Sequence, residues 1–237
     1  MDLTVLTCNY NTPELIDNLQ KSLHKFHPET NLYVIDTSKE YNLSDTSGSA
    51  VTAFRYNNAS HGPAVNLGLS KIQTKYCLLV DSDILFLSPI DKLFDKIQKG
   101  NYASAGKLAD QCAGKSLFPR IEPWFNFINL ELIKRFKISY FDQIRTKQSK
   151  LDNTTLYDIG STFYEDLGKN HLTVAEFNGE GKYFYHAGGL SWHVAKYDPT
   201  KPDTDIDFGG THPHKALYDI GCKRREIYND IVKNILT

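Results

Sequence analysis

Asp81, Ser82 and Asp83 interrupt an otherwise apolar run, Tyr76 to Leu87, in a chain of 237 residues. Two carboxylates held this close in apolar surroundings repel each other and lose hydration, and a divalent cation is the natural compensation. A hard cation such as Mg2+ takes one or two carboxylates and completes its shell with water and substrate phosphates. Asp-x-Asp recurs at Asp203-Thr204-Asp205 and Asp205-Ile206-Asp207, but there it sits in a segment containing Pro and Gly rather than between apolar runs. The alternative for Asp81 and Asp83 is a satisfied turn or helix cap.

Two further groups carry chemical interest. Pro123 to Asn129 reads as an aromatic strand with polar residues interleaved, so that Trp124 and Asn126 could line a surface that takes the apolar face of a sugar; aromatic residues packed in a core are the alternative. His212-Pro213-His214 with Asp207 nearby offers zinc-type ligands, although three ligands cannot be read from one loop.

The elements that must position these groups follow from periodicity. The first hundred residues alternate short apolar runs with helical patterns, which predicts stacked β-α-β units and a largely parallel sheet. Strands are predicted at 3–8, 31–35, 51–56, 76–80 and 84–87. Thr12 and Pro13 open a helix whose apolar face is Leu15, Ile16, Leu19, Leu23 and Phe26, and a second helix follows Gly62 and Pro63. Asp81 and Asp83 then fall at the carboxyl end of a buried strand, where open α/β sheets bind ligands. A helix follows Pro89 and ends near Gly100. Beyond it a strand is predicted at 124–129, a short helix at 130–136, a mobile polar connection at 146–155, a helix after Ser161 and a strand at 183–185. Residues 196–213 read as a long loop, and a closing helix carries Ile227, Ile231 and Ile235.

Composition excludes several classes. With 41% apolar and 23% charged residues the chain is a globular domain, and 27 basic against 28 acidic residues leave no electrostatic case for nucleic acid as partner. The short basic groups Lys134-Arg135 with Lys137 and Lys223-Arg224-Arg225 could touch phosphates or an anionic membrane surface, with solvated helix faces the alternative. No apolar segment approaches the ~20 residues of a membrane helix, so any membrane association would be peripheral. Four isolated cysteines, and an N-terminus that opens directly into a strand, fit a reduced, cytoplasmic protein.

Thr4 to Asn11, Tyr33-Val34-Ile35-Asp36, the stretch from Asn57 through Gly62 and Asn66 to Gly68, and Asp81-Ser82-Asp83 follow one another as in the nucleotide-sugar-dependent glycosyltransferases of the GT-A fold. The succession particularly resembles glycosyltransferase family 2 and covers residues 3 to 87. The resemblance implies an α/β fold with a mostly parallel, Rossmann-like sheet flanked by helices. It implies a single domain, 1–237, with a nucleotide-sugar-binding lobe at 1–100 and an acceptor-binding, metal-completing region at 101–237. Thr7, Tyr10 and Asn11 would contact the nucleotide, Asp36 its base, and Gly62, Asn66 and Ser82 would belong to the donor site. Asp81 and Asp83 would hold Mn2+ or Mg2+.

His186-Ala187-Gly188 is similar to the His-x-Gly segment of retaining GT-A enzymes, which makes His186 the third metal ligand by resemblance; a hydrogen-bonded core histidine is the alternative. Ser191 stands where a lysine that contacts the diphosphate is expected, leaving His193 or Lys196 to replace it. By the same resemblance Asp158, before a predicted helix, is the base that deprotonates the acceptor hydroxyl, with Asp166 the second candidate; a helix cap and a solvated helix face are the alternatives. The implied reaction moves a sugar from a nucleotide-diphosphate donor to a glycan or other hydroxyl acceptor, with its stereochemistry open. Two rivals remain. A nucleotidyltransferase would usually carry a Gly-rich basic loop after the first strand, and Asn9-Tyr10-Asn11-Thr12-Pro13 is neither. A noncatalytic carbohydrate- or nucleotide-binding module would keep the fold without turnover.

Overall fold

The computed structural model describes residues 1–38, 51–56, 60–112, 115–152, 157–190, 196–197, 200, 211–212 and 215–236. The elements run β1 (Leu3–Asn9), α1 (Pro13–Phe26), β2 (Asn31–Asp36), β3 (Val51–Arg55), α2 (His61–Lys71), β4 (Tyr76–Val80), β5 (Ile84–Phe86), α3 (Asp91–Gly100), β6 (Ser104–Gly106), β7 (Leu108–Cys112) and β8 (Lys115–Ile121). They continue with β9 (Phe125–Asn129), α4 (Leu130–Arg135), α5 (Gln143–Asp152), α6 (Ser161–Lys169), β10 (Val174–Glu176), β11 (Phe184–His186), β12 (Lys196–Tyr197), β13 (Thr211–His212) and a final helix, α7 (Lys215–Leu236).

Seven strands form the main sheet in the order β10-β6-β9-β4-β1-β2-β3. Pairing is parallel except at β9, which runs antiparallel to both β4 and β6. The sheet is therefore the mostly parallel, helix-flanked one expected, and it continues past residue 100 through β6, β9 and β10. Its strands bury both faces. Leu3, Val5, Val34, Leu78 and Phe127 pack with Ile16, Leu19 and Leu23 of α1 and Phe94 and Ile97 of α3. On the other face Leu6, Ile35, Cys77 and Leu79 meet Ala64 and Val65 of α2, Ile133 of α4 and Phe163 and Leu167 of α6.

Parallel pairing brings strand ends to one edge. Asn9, Asp36 and the residue after Val80, which is Asp81, all stand at carboxyl termini, with Asn9 paired directly with Asp36. After Asp81 the chain turns, the N–H of Ile84 donating to the Asp81 carbonyl at 3.3 Å, and re-enters extended structure as β5. β5 leaves the main sheet to pair antiparallel with β11, and Ser22 of α1 fixes it by accepting the Phe86 N–H at 3.1 Å.

Several expectations change. The 146–155 connection is helical through Asp152, the strand expected at 124–129 begins at Phe125, and that at 183–185 is shifted to Phe184–His186. In α7 the large buried side chain among the described residues is Tyr228, whereas Ile227 is exposed; Ile231 and Ile235 pack partly against the core. Most of the 196–213 loop lies outside the described residues, among which β12 and β13 pair as two short strands. No helix among the described residues is long and apolar enough to cross a membrane.

Candidate active site

Pairing of β5 with β11 assembles the cluster. His186 lies opposite Ile84, the neighbour of Asp83, and the Ala187 N–H donates to the Asp83 carbonyl at 3.3 Å. The imidazole Nε2 lies 3.5 Å from Asp81 Oδ2 and 3.4 Å from Asp83 Oδ1, and one ligand atom from each of the three residues falls within 4.8 Å of the others. Asp83 is almost wholly buried and its Oδ2 accepts the Leu190 N–H at 3.0 Å, which fixes the carboxylate. Trp124 stacks on the imidazole with ring centroids 4.9 Å apart and 26° between planes, and holds its orientation.

Buried Nε2 points between the two carboxylates at ion-pair distance, without a well-formed hydrogen bond among the described residues. Two hard oxygens and one imidazole nitrogen on a rigid turn form a donor set that fits a divalent cation, and the nitrogen favours Mn2+ over Mg2+. Burial works against charging His186, but Asp81 and Asp83 outweigh it and raise its pKa to about 10. Burial likewise opposes ionisation of Asp81, and His186 reverses this, holding the carboxyl below its usual range. Without metal the cluster is an imidazolium clasped by two carboxylates, so a cation must displace the proton.

Mn2+ binding near neutral pH is therefore expected to release about one proton per ion. Affinity should climb as pH rises toward about 10, where the imidazole loses its proton unaided. Calorimetry in buffers of different ionisation enthalpy measures the release, and metal binding with no proton release would mean that His186 is not a ligand.

The residues expected at the donor site include a network centred on Asn9. Its amide donates to Asp36 Oδ1 at 3.0 Å and Ser38 Oγ at 3.2 Å, and its Oδ1 accepts from both the Thr12 N–H and hydroxyl at 3.1 Å. Thr12 thus starts α1 without capping it through its side chain. Asp36 also accepts the Ser38 N–H and faces Arg55 at 3.6 Å. Asn11, in the left-handed region at φ 57° that asparagine tolerates, donates its N–H to Ser38 Oγ at 2.7 Å and leaves its buried Oδ1 unpartnered. Thr7 Oγ1 is buried without a partner too, and Tyr10 is half-buried beside this turn.

Gly62 and Asn66, expected at the donor site, meet Phe141. A Cβ on Gly62 would lie 2.3 Å from the Phe141 ring, and the Asn66 amide both donates to the Phe141 carbonyl and accepts its N–H, at 2.8 and 3.1 Å. Together they seat the 140–142 segment on α2. Ser82 is buried in the turn between the two aspartates, and Asn126 is wholly buried, accepting from Ser104 Oγ at 2.7 Å, so it offers no surface to an acceptor.

Asp158 and Asp166 are separated by their partners. Asp158 does not cap α6, whose N-cap is Gly160 at φ 86°. Its Oδ1 accepts the Ile159 N–H at 2.8 Å and its Oδ2 accepts from Arg120 at 2.6 Å, with the side chain 42% exposed. Arg120, nearly buried, also contacts Glu122 at 2.9 Å, and burial of its guanidinium is outweighed by these two carboxylates, which raise its pKa. Both oxygens of Asp166 are instead forked by Arg145 at 2.8 and 2.6 Å, and Arg145 also holds Glu165 and Asp142 at 2.7 and 3.0 Å. That cluster ties α5 to α6.

Tyr140 is buried between the Asp158 segment and the Asp81 turn. Asp81, Arg120, Glu122 and Asn126 all act on its hydroxyl, and a Cβ on Gly160 would lie 3.2 Å from it. Sequence reasoning did not single out Asn9, Arg120 or the Leu190 N–H; a lone arginine in the apolar strand Leu117 to Ile121 was the available signal for Arg120. Asn57, Ser191, His193, Asp203, Asp205, Asp207, Pro213 and His214 lie outside the described residues.

No protein-family model and no curated protein matches the sequence. Solved structures do resemble the fold. S. aureus TarS superposes with TM-score 0.57 at 16% identity, over 78% of this chain and 36% of TarS, so this chain spans about a third of that protein. A shorter TarS form, 1–349, in complex with UDP-GlcNAc gives 0.55 at 17% identity, over 78% of this chain and 58% of that one. The galactosyltransferase LgtC, in complex with donor and acceptor sugar analogs, gives 0.50 at 11% identity over 96% of this chain and 95% of that one. A putative glucose-1-phosphate thymidylyltransferase from Bacillus anthracis gives 0.52 at 12% identity, over 78% and 90%. The chain has the GT-A glycosyltransferase fold, and nucleotide-sugar glycosyltransferases stand among its structural neighbours.

Proposed function

We propose that the protein is a metal-dependent glycosyltransferase that moves a sugar from a nucleotide-diphosphate donor to a hydroxyl acceptor such as a glycan. The observation that carries this reading is the Asp81, Asp83 and His186 cluster at the carboxyl edge of the sheet, with the imidazole nitrogen set between two carboxylates at 3.5 and 3.4 Å. Asp81, Asp83 and His186 would hold Mn2+ in preference to Mg2+. A divalent cation there supplies neutralisation of the charge that grows on the departing nucleoside diphosphate.

The chain's own residues do the rest. The turn braced by Asn9 and Asp36 receives the nucleotide, with Thr7, Tyr10 and Asn11 beside it. Asp83, pinned by the Leu190 N–H, and His186, stacked on Trp124, arrive preorganised. As in glycoside hydrolysis, the anomeric carbon becomes oxocarbenium-like while the acceptor hydroxyl attacks. Asp158 is the base for that hydroxyl if configuration inverts: it is exposed, keeps lone pairs beyond its two hydrogen bonds, and is aimed by Arg120. Asp166, with both oxygens forked by Arg145, is the weaker candidate. The fold is shared with a thymidylyltransferase, but the first turn supports the glycosyltransferase reading, because Asn9-Tyr10-Asn11-Thr12-Pro13 is neither Gly-rich nor basic.

Incubation with UDP-, GDP- and dTDP-sugars and Mn2+, followed by mass spectrometry, tests the reading. Release of nucleoside diphosphate from one donor, stopped by EDTA and restored by Mn2+, is expected. Release of pyrophosphate from a nucleoside triphosphate and a sugar phosphate instead would make the protein a nucleotidyltransferase.

A further inference from the structure

The turn that follows His186 is held by the C-terminal helix. Gly188 and Gly189 both take left-handed conformations, at φ 71° and 83°, and reverse the chain so that the Leu190 N–H meets Asp83. Tyr228 of α7 packs with Ala187 and Leu190 on either side of this turn, together with Leu15 and Leu85. One helical turn earlier, Arg224 projects beside it and donates from Nη1 to the Gly188 carbonyl. Arg224 is exposed, and its remaining N–H groups have no partner among the described residues.

Charge at the site leaves a vacancy for such a group. Two carboxylates and a divalent cation sum to zero, whereas the diphosphate of a sugar donor brings two negative charges and gains more as the sugar departs. Some other cation must balance them. Among the described side chains Arg120 is spent on Asp158 and Glu122, and Lys107 sits over the Trp124 ring at 5.6 Å, while the side chains of His193 and Lys196 lie outside the described residues. Ser191 supplies none. Resting on the glycosyltransferase reading, we infer that Arg224 of α7 binds the donor diphosphate, its guanidinium anchored by the Gly188 carbonyl and presenting its free N–H groups to the phosphate oxygens. A planar, permanently charged fork suits that role. The C-terminal helix thereby becomes part of the donor site.

Calorimetry with the full chain in Mn2+ compares UDP, GDP, dTDP and CDP with the corresponding monophosphates. For whichever base binds, Arg224→Gln should weaken the diphosphate by about tenfold or more and so erase its preference over the monophosphate. Mn2+ affinity and melting temperature should stay near wild type, and Arg224→Lys should recover part of the loss. An unchanged diphosphate preference overturns the assignment, as does loss of that preference in Lys107→Gln with Arg224→Gln unaffected. A fall in Mn2+ affinity equal to the fall in diphosphate affinity also overturns it, since Arg224 would then act only by bracing the turn. A wild-type chain that binds none of these nucleotides overturns the glycosyltransferase reading, and this one with it.

Discussion

Asp83→Asn is expected to lower metal-dependent turnover by about a thousandfold, the several kcal/mol that a bound Lewis acid supplies to a leaving group. The substitution is nearly isosteric, and the asparagine oxygen can still accept the Leu190 N–H that Asp83 receives at 3.0 Å. Folding should survive for an electrostatic reason as well. In the metal-free cluster a protonated His186 faces two carboxylates, so removing one leaves a neutral pair rather than an unpaired buried charge. Turnover and Mn2+ affinity are therefore expected to fall together while the metal-free melting temperature moves little. A variant with wild-type turnover would remove the metal assignment.

Asp158→Asn tests the proposed base separately from the proposed donor site. Turnover should drop by about 10² to 10⁴, the usual worth of a general base, with nucleotide and Mn2+ affinities unchanged. Arg120 would keep Glu122 at 2.9 Å and the Ile159 carbonyl at 3.2 Å, so its buried guanidinium is not orphaned and the fold should hold. Normal turnover with a lowered melting temperature would make Asp158 a brace for the segment before α6. Normal turnover and stability together would point to a retaining reaction, which needs no base on that face.

The parts of this molecule legible in its sequence are those whose signal is local. β1, α1, β2, β4 and α3 announce themselves by apolar period, and the intrusion of Asp81 and Asp83 into an apolar run marks the turn that the sheet carries to its edge. α5 was not legible, because it has no apolar face: Ile144 is 77% exposed, and the helix is held by Asp142, whose carboxylate accepts the N–H groups of Ile144 and Arg145, and by the Arg145 ion pairs. β6 and β10, three residues each, are too short for a period to register.

Functional roles were less legible than elements, for the same reason. The juxtaposition of His186 with the aspartates depends on β5 leaving the main sheet to pair with a strand about a hundred residues later, which no local pattern encodes and only resemblance suggested. Gly62 and Asn66 read as donor-site residues but seat Phe141. Arg120 holds Asp158 from a hairpin that periodicity did not resolve, and Asn9, the hub of the turn after β1, looked like one polar residue among four.

Titration of UDP, GDP, dTDP and CDP into the metal-stripped protein, with and without Mn2+, tests the central claim most directly. Binding of one nucleoside diphosphate that requires Mn2+ and disappears in Asp83→Asn is the expected result, and it would fix the base of the donor. Binding that ignores both the metal and the substitution, or no binding by any of the four, would contradict a metal-dependent donor site built on Asp81, Asp83 and His186.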